Sequence, residues 1–326
     1  MVTSQIKNIV TIGASAGGIF ATAELLKSFN DRIDAAVFVV IHVSRKSTTE
    51  IIKRYLQKQS LLPCVVANDG DTIQNRMVYL APADYQMMLV DGTISVKKGA
   101  LENHWRPSID VLFRSAAAAY GSCVTGVILT GLMDDGTSGM YAIKRCGGVC
   151  IVQDPAEAEF AEMPNNVLRN MKVDYEVSLH EIGYILSDLY SRRECNPSVV
   201  PEDVKLEAEI TVRMGSSLEE LKKIAEPTTF TCPDCGGVLS KVESDVIPRY
   251  RCFTGHSYTL DALKNLQIDR VEDSLWVAIR LMEERKHLLE SLNSNSQNIA
   301  IERTEQISIH IERLKKMLLE LGKNAL

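Results

Sequence analysis

Between residues 8 and 190 the chain alternates short, unbroken apolar runs with stretches whose apolar positions recur every three or four residues. Residues 9–12 (IVTI), closed by Gly13, and residues 37–43 (VFVVIHV) are β-branched runs that suit strands buried on both faces of a parallel sheet. Between them, residues 19–29 set Phe20, Ala23 and Leu26 at helical spacing, and Asn30 with Asp31 ends the pattern. Strand, loop, helix and second strand make a crossover unit, which joins parallel neighbours. Further strands are predicted at 64–67, 77–80, 87–89, 94–97, 125–130 and 148–152, and helices at 108–120, 138–145, from 160 onward and at 178–190. The stretch 69–98, with Asp91-Gly92 between two short runs, reads as an antiparallel hairpin excursion. Residues 1–190 are therefore expected to be an α/β domain, a doubly wound and mostly parallel sheet with covering helices.

After residue 190 the pattern weakens. Residues 191–227 hold Pro197, Pro201 and Pro227 among mixed charges and read as a linker, with a strand expected where residues 202–212 alternate. A short Cys-rich module follows at 228–258, and then a tail at 259–326. In the tail Val271, Leu275, Ala278, Met282, Leu289 and Leu292 fall at helical spacing, interrupted by Arg285. Ile307, Ile311, Leu314, Leu318 and Leu321 repeat it beyond the polar turn 293–298 (NSNSQN). Two amphipathic helices joined this way predict a helical hairpin or short coiled coil.

Composition narrows the classes. The chain has 326 residues, 45% hydrophobic and 24% charged, as expected of a globular protein of about two parts. With 36 Lys+Arg against 42 Asp+Glu the net charge is −6, which offers no basic excess for nucleic-acid phosphates, so no nucleic-acid partner is expected. No apolar run is long enough to span a bilayer, so no membrane insertion is expected. The first residues lack the pattern of a secretory signal, and eight cysteines are too few for a disulfide scaffold. A cytoplasmic location with reduced thiols is the expectation. Cys64, Cys123, Cys146, Cys150 and Cys195 have no metal spacing and read as buried small apolar residues.

The candidate chemistry gathers at strand ends. Gly13-Ala14-Ser15-Ala16-Gly17-Gly18 links a predicted strand to a predicted helix, and its small residues allow a sharp turn that presents the Ser15 hydroxyl above the sheet. The free N–H groups of the following helix would favour a developing oxyanion. A Gly-rich turn of this kind also cradles phosphates, so a nucleotide-binding oxidoreductase is the rival reading. That rival wants a carboxylate at the end of the second strand, where this chain has His42. His42 can instead reach the crevice of Ser15, and a third group should orient its ring. The loop Gly131-Leu132-Met133-Asp134-Asp135-Gly136 supplies two carboxylates at another strand end, either of which fits, although the same composition suits a turn or helix cap.

At this point the chain resembles the chemotaxis protein-glutamate methylesterases, the CheB family. The resemblance covers about residues 8–190 and rests on six blocks in order. They are IGASAGG (12–18), VVIHV (39–43), YLAPADYQM (79–87), RPSIDVLFRSAA (106–117), GVILTGLMDDGTSGM (126–140) and VQDPAEAEFAEMP (152–164). The resemblance implies hydrolysis of glutamate methyl esters on chemoreceptors and deamidation of certain receptor glutamines. It implies Ser15 as nucleophile, His42 as general base and Asp135 as the orienting carboxylate, with the backbone N–H groups of Ala16 and Leu132 as the oxyanion hole. At Ala16 and Leu132 the family usually carries Thr and Met, and Met133 stands where Gly is common. Arg106, Asp110 and residues 154–163, including Met163, fall in blocks near the site. Arg106 and Met163 are candidate substrate contacts, a structural ion pair being the other reading of Arg106. Family members commonly carry a regulatory receiver domain ahead of the esterase; here the catalytic block begins at about residue 8, so regulation without that domain is expected. A signalling adaptor that keeps the fold but not the turnover is the leading non-enzyme alternative.

The Cys-rich module carries Cys232-x2-Cys235 and Cys252-x3-His256, with Gly236-Gly237 and Gly255 supplying tight turns. Four such ligands with no open position predict a structural zinc site in a small ribbon-like module, and no cofactor is expected for catalysis. The charge balance points the module toward a protein-contact or spacer role. The expected partners are methylated chemoreceptor helices, and for the tail either self-association or a signalling partner.

Overall fold

The computed structural model describes residues 8–29, 33–192, 195, 198–291 and 297–324. The chain falls into two compact units, Met1–Leu260 and Asp261–Leu326.

The first unit begins with β1 (Ile9–Ala14), α1 (Gly18–Ser28), β2 (Ala36–Ile41), α2 (Thr49–Gln59), β3 (Cys64–Val66) and β4 (Val78–Leu80). A hairpin of β5 (Gln86–Val90) and β6 (Thr93–Lys97) precedes α3 (Ile109–Tyr120), β7 (Val124–Ile128), α4 (Thr137–Arg145), β8 (Val149–Gln153), α5 (Glu162–Asn170), β9 (Tyr175–Val177) and α6 (Leu179–Arg192). Seven strands form one sheet in the order β3-β4-β2-β1-β7-β8-β9, and all six pairings are parallel. The apolar runs are continuous because each strand serves two cores. Val10, Ile12 and Ala14 of β1 pack with Leu25 and Leu26 of α1 and Leu186 of α6. Ile9 and the alternate residues Phe38 and Val40 of β2 join Leu112, Phe113 and Ala116 of α3 on the opposite face.

The chain builds outward from β1 through β2, then returns to add β7 on the other side of β1. That reversal opens a crevice at the carboxyl ends of β1, β2 and β7, the place where sheets of this kind hold their sites. The expected hairpin is β5–β6, with Asp91 and Gly92 both at positive φ (41° and 83°) in its two-residue loop. It is narrower than 69–98, because β4 joins the parallel sheet instead.

Beyond α6 the structure departs from the sequence expectations. Residues predicted to alternate as a strand form helix α7 (Glu202–Arg213), followed by the short α8 (Leu218–Leu221). Val204, Glu207, Ala208 and Ile210 are its buried residues, and their spacing is helical. Val204 packs in the α3 core, so at least this part of the predicted linker is built into the domain. A second correction concerns Cys123 and Cys195, expected as free buried thiols. Their Cα atoms are 5.5 Å apart and the sulfurs are bonded (2.08 Å), a pairing hidden by 72 residues of separation.

The Cys-rich module is a four-stranded antiparallel sheet in the order β10 (Ala225–Thr231), β11 (Val238–Val242), β12 (Arg249–Cys252), β13 (Ser257–Thr259). A bridge between Ser257 and Glu102 ties it to the segment ahead of α3. Beneath it lies a buried charge cluster. Arg249 forks onto Glu207, its Nη2 to Oε2 at 2.7 Å, and its Nε reaches Asp245 at 2.7 Å. Arg251 donates to Glu207 at 3.1 Å, and Arg114 of α3 donates to Glu102 at 2.8 Å. Three guanidinium groups thus meet three carboxylates, the balance that lets charges stay buried.

The second unit is built from α9 (Leu260–Ser291) and α10 (Gln297–Asn324). An ion pair between Lys315 and Glu283 (3.8 Å) connects them, and Ile279 and Ile311 are buried. Trp276, Leu281, Leu288, Ile309, Met317 and Leu319 are exposed. Most of the predicted turn, residues 293–296, lies outside the described residues. Among the described residues no helix is long and apolar enough to cross a membrane.

Candidate active site

Ser15 directly follows β1, and its backbone N–H is held by Thr130 O at 3.1 Å. Gly17 sits at φ 71°, the left-handed conformation that lets the chain turn straight into α1. Gly131 is required for another reason: a Cβ there would lie 2.9 Å from Ser15 Cβ and 2.8 Å from Met163 Cε. The Thr130 hydroxyl donates to Ala16 O (3.1 Å) and accepts from Phe160 N (2.8 Å), which ties the serine loop to the loops after β7 and β8.

His42 directly follows β2, and its N–H donates to Ala14 O at 3.0 Å, so the ends of β1 and β2 are in register there. Its ring is buried, and Nε2 lies 2.8 Å from Asp135 Oδ2. A carboxylate only accepts, so Nε2 carries the proton and Nδ1 keeps its lone pair. Nδ1 is buried and has no hydrogen-bond partner among the described residues. Of the two carboxylates that the sequence left open, it is Asp135 and not Asp134 that meets the imidazole.

Asp135 lies at the amino end of α3. It accepts from Ile109 N (2.7 Å), Ser108 Oγ (2.8 Å) and Asn103 Nδ2 (3.0 Å) as well as from His42. Burial pushes this carboxyl upward, but the His42 bond and the backbone and amide donors outweigh it and hold the group below the usual carboxylate range. The helix dipole of α3 acts in the same direction. Asp110 shows the opposite balance: burial and then the Asp135 charge push it well above the ordinary value.

Two site residues escaped the sequence reading. Trp105 stacks flat on His42, ring centroids 4.0 Å apart and planes 6° from parallel. Asn103 donates from one amide nitrogen to both Asp135 Oδ1 and Asp110 Oδ2 (2.9 Å). Both belong to a tight turn closed by Trp105 N to Glu102 O (2.8 Å), in which Asn103 (φ 51°) and His104 (φ 68°) are left-handed. Such turns usually announce themselves with glycine, and this one has none.

Ala16 is half-buried and Leu132 exposed, and neither backbone N–H donates to another described residue. Met133 holds φ 66°, a conformation that favours glycine, which accounts physically for the residue common there in the family. Two substrate-contact candidates need correction. The Arg106 fork is taken up by Asp84 Oδ1 (2.6 and 3.0 Å) and Gly99 O (2.7 Å), so the ion-pair reading holds. Met163 is fully buried beneath Gly131 and presents no surface to a substrate.

Cys232, Cys235, Cys252 and His256 converge, their donor atoms all within 4.8 Å of one another. The Cys235–Cys252 sulfurs are 3.7 Å apart, and His256 Nδ1 lies 3.7 Å from Cys232 Sγ and 3.5 Å from Cys252 Sγ. Zinc bonded at about 2.3 Å to sulfur and about 2.0 Å to nitrogen in a tetrahedron needs edges of roughly 3.5–3.8 Å. The donor set and its spacing can therefore hold such an ion.

A hydroxyl, an imidazole of fixed tautomer and a buried carboxylate at neighbouring strand ends of a doubly wound sheet define the class of serine-type hydrolases. Residues 10–186 match the CheB methylesterase family. A Leptospira interrogans chain, provisionally named a protein-glutamate methylesterase/protein-glutamine glutaminase, is 38% identical over 175 residues, 53% of this chain and 90% of that one. Protein-glutamate methylesterase/protein-glutamine glutaminase 2 of Methanosarcina mazei is 35% identical over 188 residues, 55% of this chain and 51% of that one. The crystal structure of the Thermotoga maritima CheB methylesterase catalytic domain superimposes with a TM-score of 0.54 at 30% identity, covering 56% of this chain and 98% of that one. The chain belongs to the CheB methylesterase family.

Proposed function

We propose that the protein hydrolyses glutamate methyl esters, and deamidates glutamines, on the helices of methylated chemoreceptors. The observation that carries this reading is the 2.8 Å His42–Asp135 bond, which leaves Nδ1 as the basic nitrogen, with Ser15 at the neighbouring end of β1. In the proposed reaction Nδ1 takes the Ser15 proton as Oγ attacks the ester carbonyl. The oxyanion is held by the N–H groups of Ala16 and Leu132, each worth about 3–4 kcal/mol in comparable sites. The imidazolium returns the proton to the departing methoxide, which leaves as methanol. Water then attacks the acyl-Ser15, His42 takes its proton, and glutamate is released with Ser15 restored; glutamine loses ammonia by the same path. Asp135 supports the imidazolium, and the Trp105 face adds cation–π attraction.

The catalytic steps need no cofactor. In this reading Cys232, Cys235, Cys252 and His256 hold a structural zinc ion, the enzyme works in the cytoplasm, and the apolar residues exposed on α9 and α10 serve self-association or a signalling partner. The test is methanol release from methylated receptor membranes. Wild type should release it, and Ser15→Ala should reduce the rate on the order of 10⁴-fold or more. No release by folded wild type would remove the esterase reading.

A further inference from the structure

We propose that the Cys/His module is a working part of the active site: strand β13 fixes the Asn103 amide against Asp135, so metal bound by the module sets the rate of turnover. The kinetic part of this inference rests on the esterase reading above; its structural part does not.

β13 begins one residue after the ligand His256 and faces two ways. On one side the Tyr258 hydroxyl lies 3.1 Å from Cys232 Sγ. On the other, Ser257 O accepts from Asn103 N at 2.8 Å, and Ser257 N donates to Leu101 O at 3.3 Å. Thr259 N then donates to Asn103 Oδ1 at 2.9 Å. This last bond decides which end of the amide faces Asp135 and Asp110. With Oδ1 occupied by Thr259, Nδ2 is turned toward both carboxyls and gives one hydrogen to each. Without it the amide can rotate and set its oxygen against two acceptors, and Asp135 loses a donor.

The turn has little hold of its own. Two consecutive non-glycine residues at positive φ persist only where their surroundings over-determine them, and here the surroundings are β13. Trp105, the next residue after the pair, rests on His42, so a shift of the turn reaches the base as well as its carboxylate. A three-residue edge strand is a weak clamp by itself. Its anchors are the ligand cluster on one side and the Arg249–Glu207 and Arg251–Glu207 pairs beneath β12 on the other. All of these groups lie beyond residue 186, outside the span matched by the family.

The test uses the full chain carrying Trp276→Phe, so that Trp105 is the sole indole. Cys235→Ser alters the exposed ligand. Asn103→Gly keeps the left-handed turn and its backbone bonds but removes the amide. Zinc content, Trp105 emission and methanol-release kinetics are measured for each variant and for the pair. Cys235→Ser should lose zinc, shift Trp105 emission and lower kcat roughly 100-fold with KM within about twofold, as expected for a misplaced catalytic group. Asn103→Gly should lower kcat comparably with zinc retained, and the double variant should fall little further. Should Cys235→Ser fail to fold, chelation of wild type followed by zinc addition gives the second measurement, and emission and kcat should fall and recover together. Zinc loss that leaves Trp105 emission and kcat unchanged would overturn the proposal, as would effects of the two substitutions that multiply. If wild type shows no esterase activity, zinc-dependent Trp105 emission and the rate of Ser15 labelling by a fluorophosphonate read the same coupling.

Discussion

Asp135 and Glu207 are both buried carboxylates held below the ordinary range, and they are kept ionised by opposite means. Glu207 is surrounded by fixed cations: burial works against its charge, while Arg114, Arg249 and Arg251 more than restore it. Among the described residues no such fixed cation meets Asp135. Its charge rests on two backbone N–H groups, one hydroxyl, one amide and the titratable His42. The difference separates a structural charge from an available one. A carboxylate neutralised by guanidinium groups has nothing left for a transient cation, whereas one steadied by dipoles can still stabilise an imidazolium.

The largest effect that tests this contrast is Asp135→Asn. Turnover of receptor methyl esters should fall about 10⁴-fold, because an amide at this position offers His42 the wrong group and favours the wrong tautomer. Glu207→Ala should do the reverse. Leaving three buried guanidinium groups short of a carboxylate should cost about 3–5 kcal/mol, read as a fall in Tm of roughly 10 °C, with kcat lowered by no more than about 100-fold through the loosened β13 at a temperature where the variant is folded. If Glu207→Ala matched Asp135→Asn in kcat, the contrast would fail.

Acid titration sharpens the comparison. Both groups have folded-state values lowered from those of the unfolded chain, so the unfolded chain binds more protons as the pH falls. Their stabilisation should be fully present above about pH 4.5 and lost progressively below it. Urea unfolding between pH 5 and 2 should show a shallower slope for either variant than for wild type. The smallest effect is expected at Met133→Gly. Relief of the left-handed strain should offset the greater freedom of glycine in the unfolded chain, giving a stability change within about 1 kcal/mol by thermal melt.

The sheet was largely legible because its strands carry unbroken apolar runs set between helical patterns, and the strand ends then pointed to Ser15, His42 and the Asp134/Asp135 loop. Helix α7 was not, because 202–212 alternates well enough to imitate a strand, and its most consequential buried residue is the charged Glu207. Asn103 and Trp105 were hidden for a different reason. Their turn lacks glycine, and what holds it is a strand some 150 residues away, a long-range pairing that no local pattern announces. A separation of 72 residues likewise concealed the Cys123–Cys195 bond. Cys232, Cys235, Cys252 and His256 could be read because their spacing lies within 25 residues of chain.

The placement of β1 at the centre of the sheet has a consequence for synthesis. β1, which leads into Ser15, is made before either of its neighbours, and it gains the second only when β7 has been made. The carboxylate for His42 comes later, at Asp135, and the strand that steadies Asn103 is complete only at Thr259. A nascent chain therefore carries Ser15 and His42 long before the groups that hold them in place, and their surroundings are complete only when most of the first unit has been translated.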